Sequence, residues 1–254
     1  MKNRIDYNEY DFIHNDPSIS AQGLPFSLNL LSFAFSMVMV PMLIFMLSNF
    51  FADKFQDKKN MDILFPQQTK ICERNRFLAA TLLFLAVYLI IVVFSLVIGT
   101  LVNGLGDVHF PLYYILENKV GQLTVGGALL QTVILQFLSC TAVIALLQLM
   151  NNVTKNHILS ILLTMLITVP QIVAPIVLPV FNKVMHLIPG AYIATPNIID
   201  TAWANQTHNY QLTFVNGILV SSVYLFALLL VNYGYTQNAG RGLFIKASRT
   251  LSMR

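Results

Sequence analysis

Charged side chains are scarce in this chain. Asp, Glu, Lys and Arg together make up 10% of the residues, whereas hydrophobic residues make up 56%. A soluble domain carries roughly 25% charged residues, so this composition excludes an ordinary soluble fold. Each of the five uncharged runs contains the ~20 mostly apolar residues that a helix needs to cross a hydrocarbon core of about 30 Å. These runs cover 24–52, 77–106, 120–154, 156–182 and 201–240.

The sequence also lacks recognisable catalytic chemistry. It contains no glycine-rich phosphate loop, no HExxH and no GxSxG. The predicted spans hold no Asp, Glu, Lys, Arg or internal His, which argues against an ion-coupled carrier or an intramembrane metalloprotease. The only two cysteines, Cys72 and Cys140, are predicted at different depths and so cannot pair within one chain. We therefore predict no catalytic residue, no metal ligand and no cofactor in this chain.

The uncharged runs predict an all-α polytopic membrane protein with five transmembrane helices. A polar N-terminal segment, residues 1–25, is predicted outside the cell, and residues 26–254 form the transmembrane domain. We place the spans near 26–51, 77–102, 128–150, 157–180 and 212–235.

The loop from Asp53 to Arg76 sets the predicted orientation. It holds six of the fifteen Lys and Arg residues between two uncharged runs. If the first span runs from outside to inside, eleven Lys and Arg residues are cytoplasmic and four are outside. Cytoplasmic loops carry such an excess, so this loop is predicted to be cytoplasmic. The basic balance then reflects membrane topology, and it gives no reason to expect a nucleic acid partner.

Uncharged polar residues recur at helical spacing inside three predicted spans. One interpretation is hydrogen bonding between helices, worth about 0.6 to 2 kcal/mol per contact. The other is a weakly polar path for an amphipathic substrate, and the two are compatible. The possible path residues are Asn29, Ser32 and Ser36 in the first span, Gln131 and Gln136 in the third, and Thr164, Thr168 and Gln171 in the fourth.

Three prolines, Pro170, Pro175 and Pro179, are predicted to break the end of the fourth span. Broken backbone at membrane depth has to be shielded by protein or line a cavity. The segment from Pro175 to Trp203 is therefore predicted to form a pair of short helices that dips into the outer leaflet. The sequence also predicts an aromatic belt there, formed by Trp203, Tyr192 and Tyr210.

Two segments carry a resemblance to a known family. The first is DKKNMDILFPQQTKICERNRFLAA, with Pro66 followed ten positions later by Arg76, and the second is LIPGAYIATPNIID, with Pro189 and Tyr192. Together they resemble the permease subunits of ATP-binding-cassette exporters of the drug, polysaccharide and bacteriocin branch, the ABC type-2 permeases. The resemblance covers about Phe26 to the C-terminus. That family has six spans, and this chain looks like the family pattern with its first span missing. Three explanations stay open: a truncated version, a natural five-span variant, or a misassigned first span. The third would put the six-cation loop outside, which the charge bias opposes.

The resemblance implies a cytoplasmic coupling helix near 58–65 that inserts into a separate ATPase, which binds ATP and Mg²⁺. It further implies an outer gate formed by Pro175, Pro179, Pro189 and Tyr192. The partners would be that ATPase, a second copy of the chain or a similar permease, and the lipid bilayer. The substrate would be an amphipathic or hydrophobic peptide, bacteriocin or antibiotic, exported across a bacterial plasma membrane. The implied coupling residues are Lys58, Lys59, Asp62, Ile63, Leu64, Phe65, Pro66 and Arg76.

Two other classes of function remain open. A small membrane immunity or scaffold protein that acts without ATP needs no motif. A membrane-embedded lipid-modifying enzyme could use His109, Glu117, His186 or Asp200, although these residues have no recognisable spacing. The basic loop could also simply be attracted to anionic lipid, at about 1 kcal/mol per cation.

Overall fold

The fold is mostly helical, as the sequence predicts. The computed structural model describes residues 22–52, 55–56, 59–60, 69–116, 119–177 and 179–251. The described helices are α1 (Gly23–Leu30), α2 (Phe33–Ala52), α3 (Thr69–Asn103), α4 (Val125–Thr154), α5 (His157–Val177), α6 (Pro196–Ile199), α7 (Ala202–Thr207) and α8 (Phe214–Leu251). Three short 3₁₀ segments lie between α5 and α6, at Pro179–Phe181, Met185–Leu187 and Pro189–Ile193.

Three helices are long and apolar enough to cross a membrane: α3, α4 and α8. This result indicates a membrane protein. Two further apolar helical stretches, Ser36–Phe51 in α2 and His157–Val173 in α5, are shorter. Each predicted span thus coincides with helical structure, while the number of five membrane crossings stays a prediction.

The first predicted span, 26–51, is interrupted. Helix α1 ends at Leu30 and α2 begins at Phe33, with a turn between them. The first helix instead packs on the far end of α3, where the Gly23 and Leu24 amides donate to the carbonyls of Gly104 and Leu105 at 2.9 and 3.1 Å. A continuous helix was predicted because the sequence through the turn is uniformly apolar and uncharged.

Small residues allow α1 and α3 to approach closely. A Cβ added to Gly99 would lie 2.7 Å from the Gly23 Cα, so a larger residue at Gly99 would force the two helices apart. One turn away, the hydroxyls of Ser27 and Ser95 are hydrogen-bonded at 3.0 Å. Both helices therefore present a small residue every four positions, the pattern that packs helices in membranes.

The prolines of the fourth span do not break the helix where the sequence predicts. Helix α5 runs through Pro170 and Pro175 and ends at Val177, and Pro179 opens the first 3₁₀ segment. A proline inside a helix removes one backbone hydrogen bond but can be accommodated when neighbouring helices pack around it. The predicted break is thus real but begins later in the chain.

Two antiparallel strand pairs were not predicted. The larger hairpin joins β3 (Pro111–Leu116) to β4 (Lys119–Thr124), between α3 and α4. The smaller one joins β1 (Phe55–Gln56) to β2 (Lys59–Asn60), in the basic loop. The larger hairpin leads directly into α4, whose first turn is fixed by the Val125 amide donating to the Phe110 carbonyl at 3.0 Å.

Helix α4 is the centre of the bundle. In the most apolar 18-residue stretch of α4, 72% of the residues are buried, compared with 28% in the corresponding stretch of α3 and 17% in that of α8. The chain runs up and down around α4, so the bundle has two ends. One end, which we name the loop end, carries Phe51, Glu73, Asn151 and Asn232. The other end carries the segment 179–212, which we name the cap.

Candidate functional site

The cap has a core of its own. Its 3₁₀ segments and the short helices α6 and α7 enclose Tyr192, Trp203, Met185 and Leu212, all buried. Residues of α4 and α8 complete this cluster, including Leu135 on α4. The cap is thus a packed unit attached to the helix bundle.

The backbone carbonyl of Ile193 in the cap accepts hydrogen bonds from two helices of the bundle. It accepts hydrogen bonds from the Ser36 hydroxyl of α2 at 3.1 Å and from Gln136 Nε2 of α4 at 2.9 Å. The same Nε2 donates to the Leu31 carbonyl at 3.1 Å, and the Tyr88 hydroxyl of α3 donates to Gln136 Oε1 at 2.8 Å. Gln136 is fully buried, and its hydrogen bonds join the α1–α2 turn, α3, α4 and the cap. We name the five residues Leu31, Ser36, Tyr88, Gln136 and Ile193 the cap junction.

The cap junction lies well inside the bundle. Gln136 is the twelfth residue of α4, which begins at Val125. At 1.5 Å per residue, Gln136 is about 16 Å along a helix that is about 45 Å long. The cap backbone at Ile193 therefore reaches roughly a third of the way down the central helix.

Further hydrogen bonds hold the cap to α5 and to itself. The Gly190 amide donates to Gln171 Oε1 of α5 at 3.1 Å. Within the cap, the Tyr192 hydroxyl donates to the His186 carbonyl at 2.8 Å, and Asn209 Nδ2 donates to the Asn182 carbonyl at 2.6 Å.

The Tyr192 ring also fixes the cap against α8. A Cβ added to Gly217 of α8 would lie 2.6 Å from the Tyr192 ring. Only a residue without a side chain allows the ring and the helix to come this close. Gly217 is thus required by the packing of the cap rather than by backbone conformation.

A narrow pocket lies beneath the cap, between α4, α5 and α8. It has room for about one water molecule. No charged residue lines it, and Thr168 is the lining residue whose buried hydroxyl has no hydrogen-bond partner in the described part of the chain. We name it the cap pocket. Its lining includes Ser139, Ala142, Thr168, Gln171, Gly190 and Tyr224.

The predicted path residues separate into two groups. Ser36, Gln136 and Gln171 all bond to the cap, and Thr168 and Gln171 line the cap pocket. The other four do not converge on this region: Asn29 is exposed, Ser32 and Gln131 are half-buried, and the buried Thr164 returns its hydroxyl to the Ser160 carbonyl at 2.7 Å.

The four residues of the predicted outer gate do not all lie in the same part of the structure. Pro189 and Tyr192 lie in the cap, whereas Pro175 is part of α5 and Pro179 begins the 3₁₀ segment that follows it. The predicted aromatic belt is wrong for two of its three members, because Trp203 is 6% exposed and Tyr192 fully buried. Both rings fill the interior of the cap, where their apolar area is covered by protein instead of lipid.

Most predicted coupling residues lie outside the described residues: Lys58, Asp62, Ile63, Leu64, Phe65 and Pro66. Lys59 belongs to strand β2, so this part of the predicted coupling helix is extended. Arg76 lies in α3, with its guanidinium 3.9 Å from Glu73 Oε1.

Sequence reasoning missed a buried polar cluster at the loop end. Glu73, only 6% exposed, accepts at Oε2 from Gln148 Nε2 at 2.7 Å and from Asn152 Nδ2 at 3.3 Å. Asn152 Nδ2 also donates to Asn232 Oδ1 of α8 at 3.2 Å. The sequence places Glu73 in the basic loop, because the second span is predicted to begin at 77, whereas α3 begins at Thr69. The sequence signal that could have revealed this cluster is QLMNN near the end of α4, which places the amides of Gln148 and Asn152 one turn apart on the same face of the helix.

The donor set of this cluster does not suit a metal ion, because amide nitrogens and a guanidinium face the carboxylate. Within the described ranges no three His, Cys, Asp or Glu side chains are grouped so that they could hold one. No family model, curated protein or solved structure matches this chain. The family resemblance therefore rests on the two sequence segments alone.

Proposed function

We propose that this chain is the transmembrane subunit of an ATP-driven exporter of amphipathic or hydrophobic molecules such as peptides, bacteriocins or antibiotics, powered by a separate ATPase. The observation that carries the proposal is the cap junction. Irregular backbone reaches into the helix bundle and is held there by uncharged polar side chains of α2, α4 and α5, as a gate over a translocation path would be.

The backbone of the cap explains why such an arrangement suits a gate. Carbonyl and amide groups without helical partners are tolerated at depth only if protein or a cavity covers them. Here Gln136, Ser36 and Gln171 provide those partners. These three hydrogen bonds can be exchanged for bonds to a polar ligand or to water, whereas the backbone bonds of a continuous helix cannot.

The source of energy is inferred from the distribution of charge. Glu73 is the buried carboxylate of the described helices, and it lies at the loop end, away from the cap. A proton or ion relay along the bundle would need ionisable residues at several depths. ATP hydrolysis therefore fits this chain better than a proton or ion gradient as the source of energy. The ATPase would dock on the basic loop, with Ile63, Leu64 and Phe65 as the apolar anchor.

A transport assay in inside-out vesicles tests the proposal. The chain is reconstituted with the ATPase that accompanies it, and ATP-dependent uptake of a fluorescent apolar peptide is measured for wild type, Phe65→Asp and the loop control Gln68→Asp. We expect Phe65→Asp to abolish uptake, because it forces a charge into an apolar docking groove. The control should transport normally, since its polar position lies beyond the apolar anchor.

Equal uptake by Phe65→Asp and Gln68→Asp would refute docking through this loop. ATP-independent uptake, or none with any partner, would refute the exporter itself.

One observation favours a second function, an immunity or scaffold protein that acts without ATP. The cap junction is closely packed, and the cap pocket beneath it admits about one water molecule. A protein that only binds another membrane protein would need no wider opening. In that case the vesicles would show no ATP-dependent uptake, although the chain would still protect cells or bind its target.

A further inference from the structure

The hydroxyl of Thr168 differs from most buried threonine hydroxyls of this bundle, which have a hydrogen-bond partner. Threonines in helices commonly donate to the carbonyl four residues earlier, as Thr141 does to Phe137 at 2.8 Å and Thr164 does to Ser160 at 2.7 Å. Thr168 is 3% exposed and has no such partner among the described residues. A buried hydroxyl without a partner carries a desolvation penalty, which valine at the same position would avoid.

The surroundings of Thr168 define what could satisfy it. Two polar atoms of its neighbours in the cap pocket are already engaged: the Ser139 hydroxyl is hydrogen-bonded to Ser221 at 3.0 Å, and Gln171 Oε1 accepts from Gly190. The remaining wall is largely apolar, with Ala142 at its base, and no lining side chain is charged. A charged group would therefore enter without a counterion in a low-dielectric site, which is strongly unfavourable.

We propose that the cap pocket is a recognition subsite for the uncharged hydroxyl or carbonyl end of an amphipathic molecule, with the Thr168 hydroxyl as its hydrogen-bonding partner. This inference rests on the proposed function and names the substrate class of the path. Gly190 and Ile193 of the cap form one wall of the pocket, so a group larger than water enters only as the cap moves.

The chain offers a matched control for Thr168. Thr132 of α4 is also fully buried, and its hydroxyl likewise has no partner in the described part of the chain. Thr132 is not among the residues that line the cap pocket. Replacing either threonine by valine removes one unsatisfied hydroxyl at nearly constant volume, but only Thr168→Val alters the pocket.

The test uses a reporter thiol in the pocket. Ala142→Cys is introduced into the full-length chain lacking Cys72 and Cys140, and its labelling is followed by intact mass spectrometry. Two reagents of matched size, hydroxyethyl and ethyl methanethiosulfonate, differ only in a hydroxyl, and the ratio of their rates measures recognition of that hydroxyl. Sulfonatoethyl methanethiosulfonate supplies the charged comparison.

We expect the ratio of hydroxyethyl to ethyl labelling to fall about fivefold in Thr168→Val, the effect of one lost hydrogen bond. Thr168→Ser should restore the ratio, Thr132→Val should leave it unchanged, and the sulfonate should not label the thiol. An unchanged ratio in Thr168→Val, labelling by the sulfonate as fast as by the alcohol, or no labelling by either uncharged reagent would overturn the proposal. The assay needs neither ATP nor an ATPase, so failure of the exporter function would leave its result intact.

Discussion

Gln136 is the residue whose removal should weaken the attachment of the cap most. In Gln136→Leu, the Tyr88 hydroxyl loses the Gln136 oxygen, and the Leu31 and Ile193 carbonyls lose the Gln136 amide as a donor. The Ile193 carbonyl keeps its bond from Ser36. Leucine has a similar volume, so the substitution adds little cavity cost. The loss should therefore reflect the hydrogen bonds themselves.

The expected magnitude follows from these three bonds. At the membrane-protein average of about 0.6 kcal/mol per interhelical hydrogen bond, they contribute about 2 kcal/mol. In soluble proteins, a buried polar group left without its partner costs about 1–3 kcal/mol, and we take about 3 kcal/mol as the upper limit of the loss in Gln136→Leu. Because Gln136 is fully buried, we expect the free energy of unfolding to fall by about 2–3 kcal/mol.

The assay is reversible unfolding in mixed micelles, monitored by circular dichroism, with Gln131→Leu as the control. Gln131 lies on the same helix, is half-buried, and makes no side-chain hydrogen bond within the described part of the chain. The control should change the free energy of unfolding by less than about 0.5 kcal/mol, as surface substitutions do. Equal effects of the two substitutions would refute the structural role assigned to Gln136.

Two further predictions concern the opposite end and the orientation. Glu73→Leu should lower the free energy of unfolding by about 2–3 kcal/mol, because Gln148 and Asn152 lose the carboxylate as an acceptor and keep only weaker, neutral ones. Glu73→Gln keeps an acceptor oxygen and should lose less; equal losses in micelle unfolding would contradict this reasoning. Cys72 should react with a membrane-impermeant thiol reagent only from the cytoplasmic side, and the buried Cys140 from neither side, in intact cells compared with inverted vesicles. Labelling of Cys72 from outside would reverse the proposed topology.

The positions of the helices could be predicted because hydrophobic length is a local property. The end of α3 at Asn103 and the start of α8 at Phe214 lie within two residues of the predicted bounds. The break between Leu30 and Phe33 could not be predicted, because it depends on contacts distant in sequence. The Leu31 carbonyl is bonded by Gln136, which is 105 residues away.

The sequence predicts which polar side chains belong to the candidate site, but not the groups to which they bond. Helical spacing identified Ser36, Gln136 and Gln171 as inward-facing polar residues, and all three bond to the cap. Their common targets are backbone groups of Gly190 and Ile193, which no side-chain pattern reveals. Glu73 was missed for a related reason, since its burial depends on amides of α4 rather than on its own basic surroundings.

The most direct test of the exporter proposal is the composition of the complex that this chain forms in its own membranes. The full-length chain is purified in a mild detergent, and its partners are identified and counted by quantitative mass spectrometry. The proposal predicts a nucleotide-binding ATPase at one copy per permease chain, in a complex with two permease chains, whose ATP hydrolysis is lost when the loop carries Phe65→Asp. Recovery of the chain without any ATPase, under conditions in which its permease dimer persists, would contradict it.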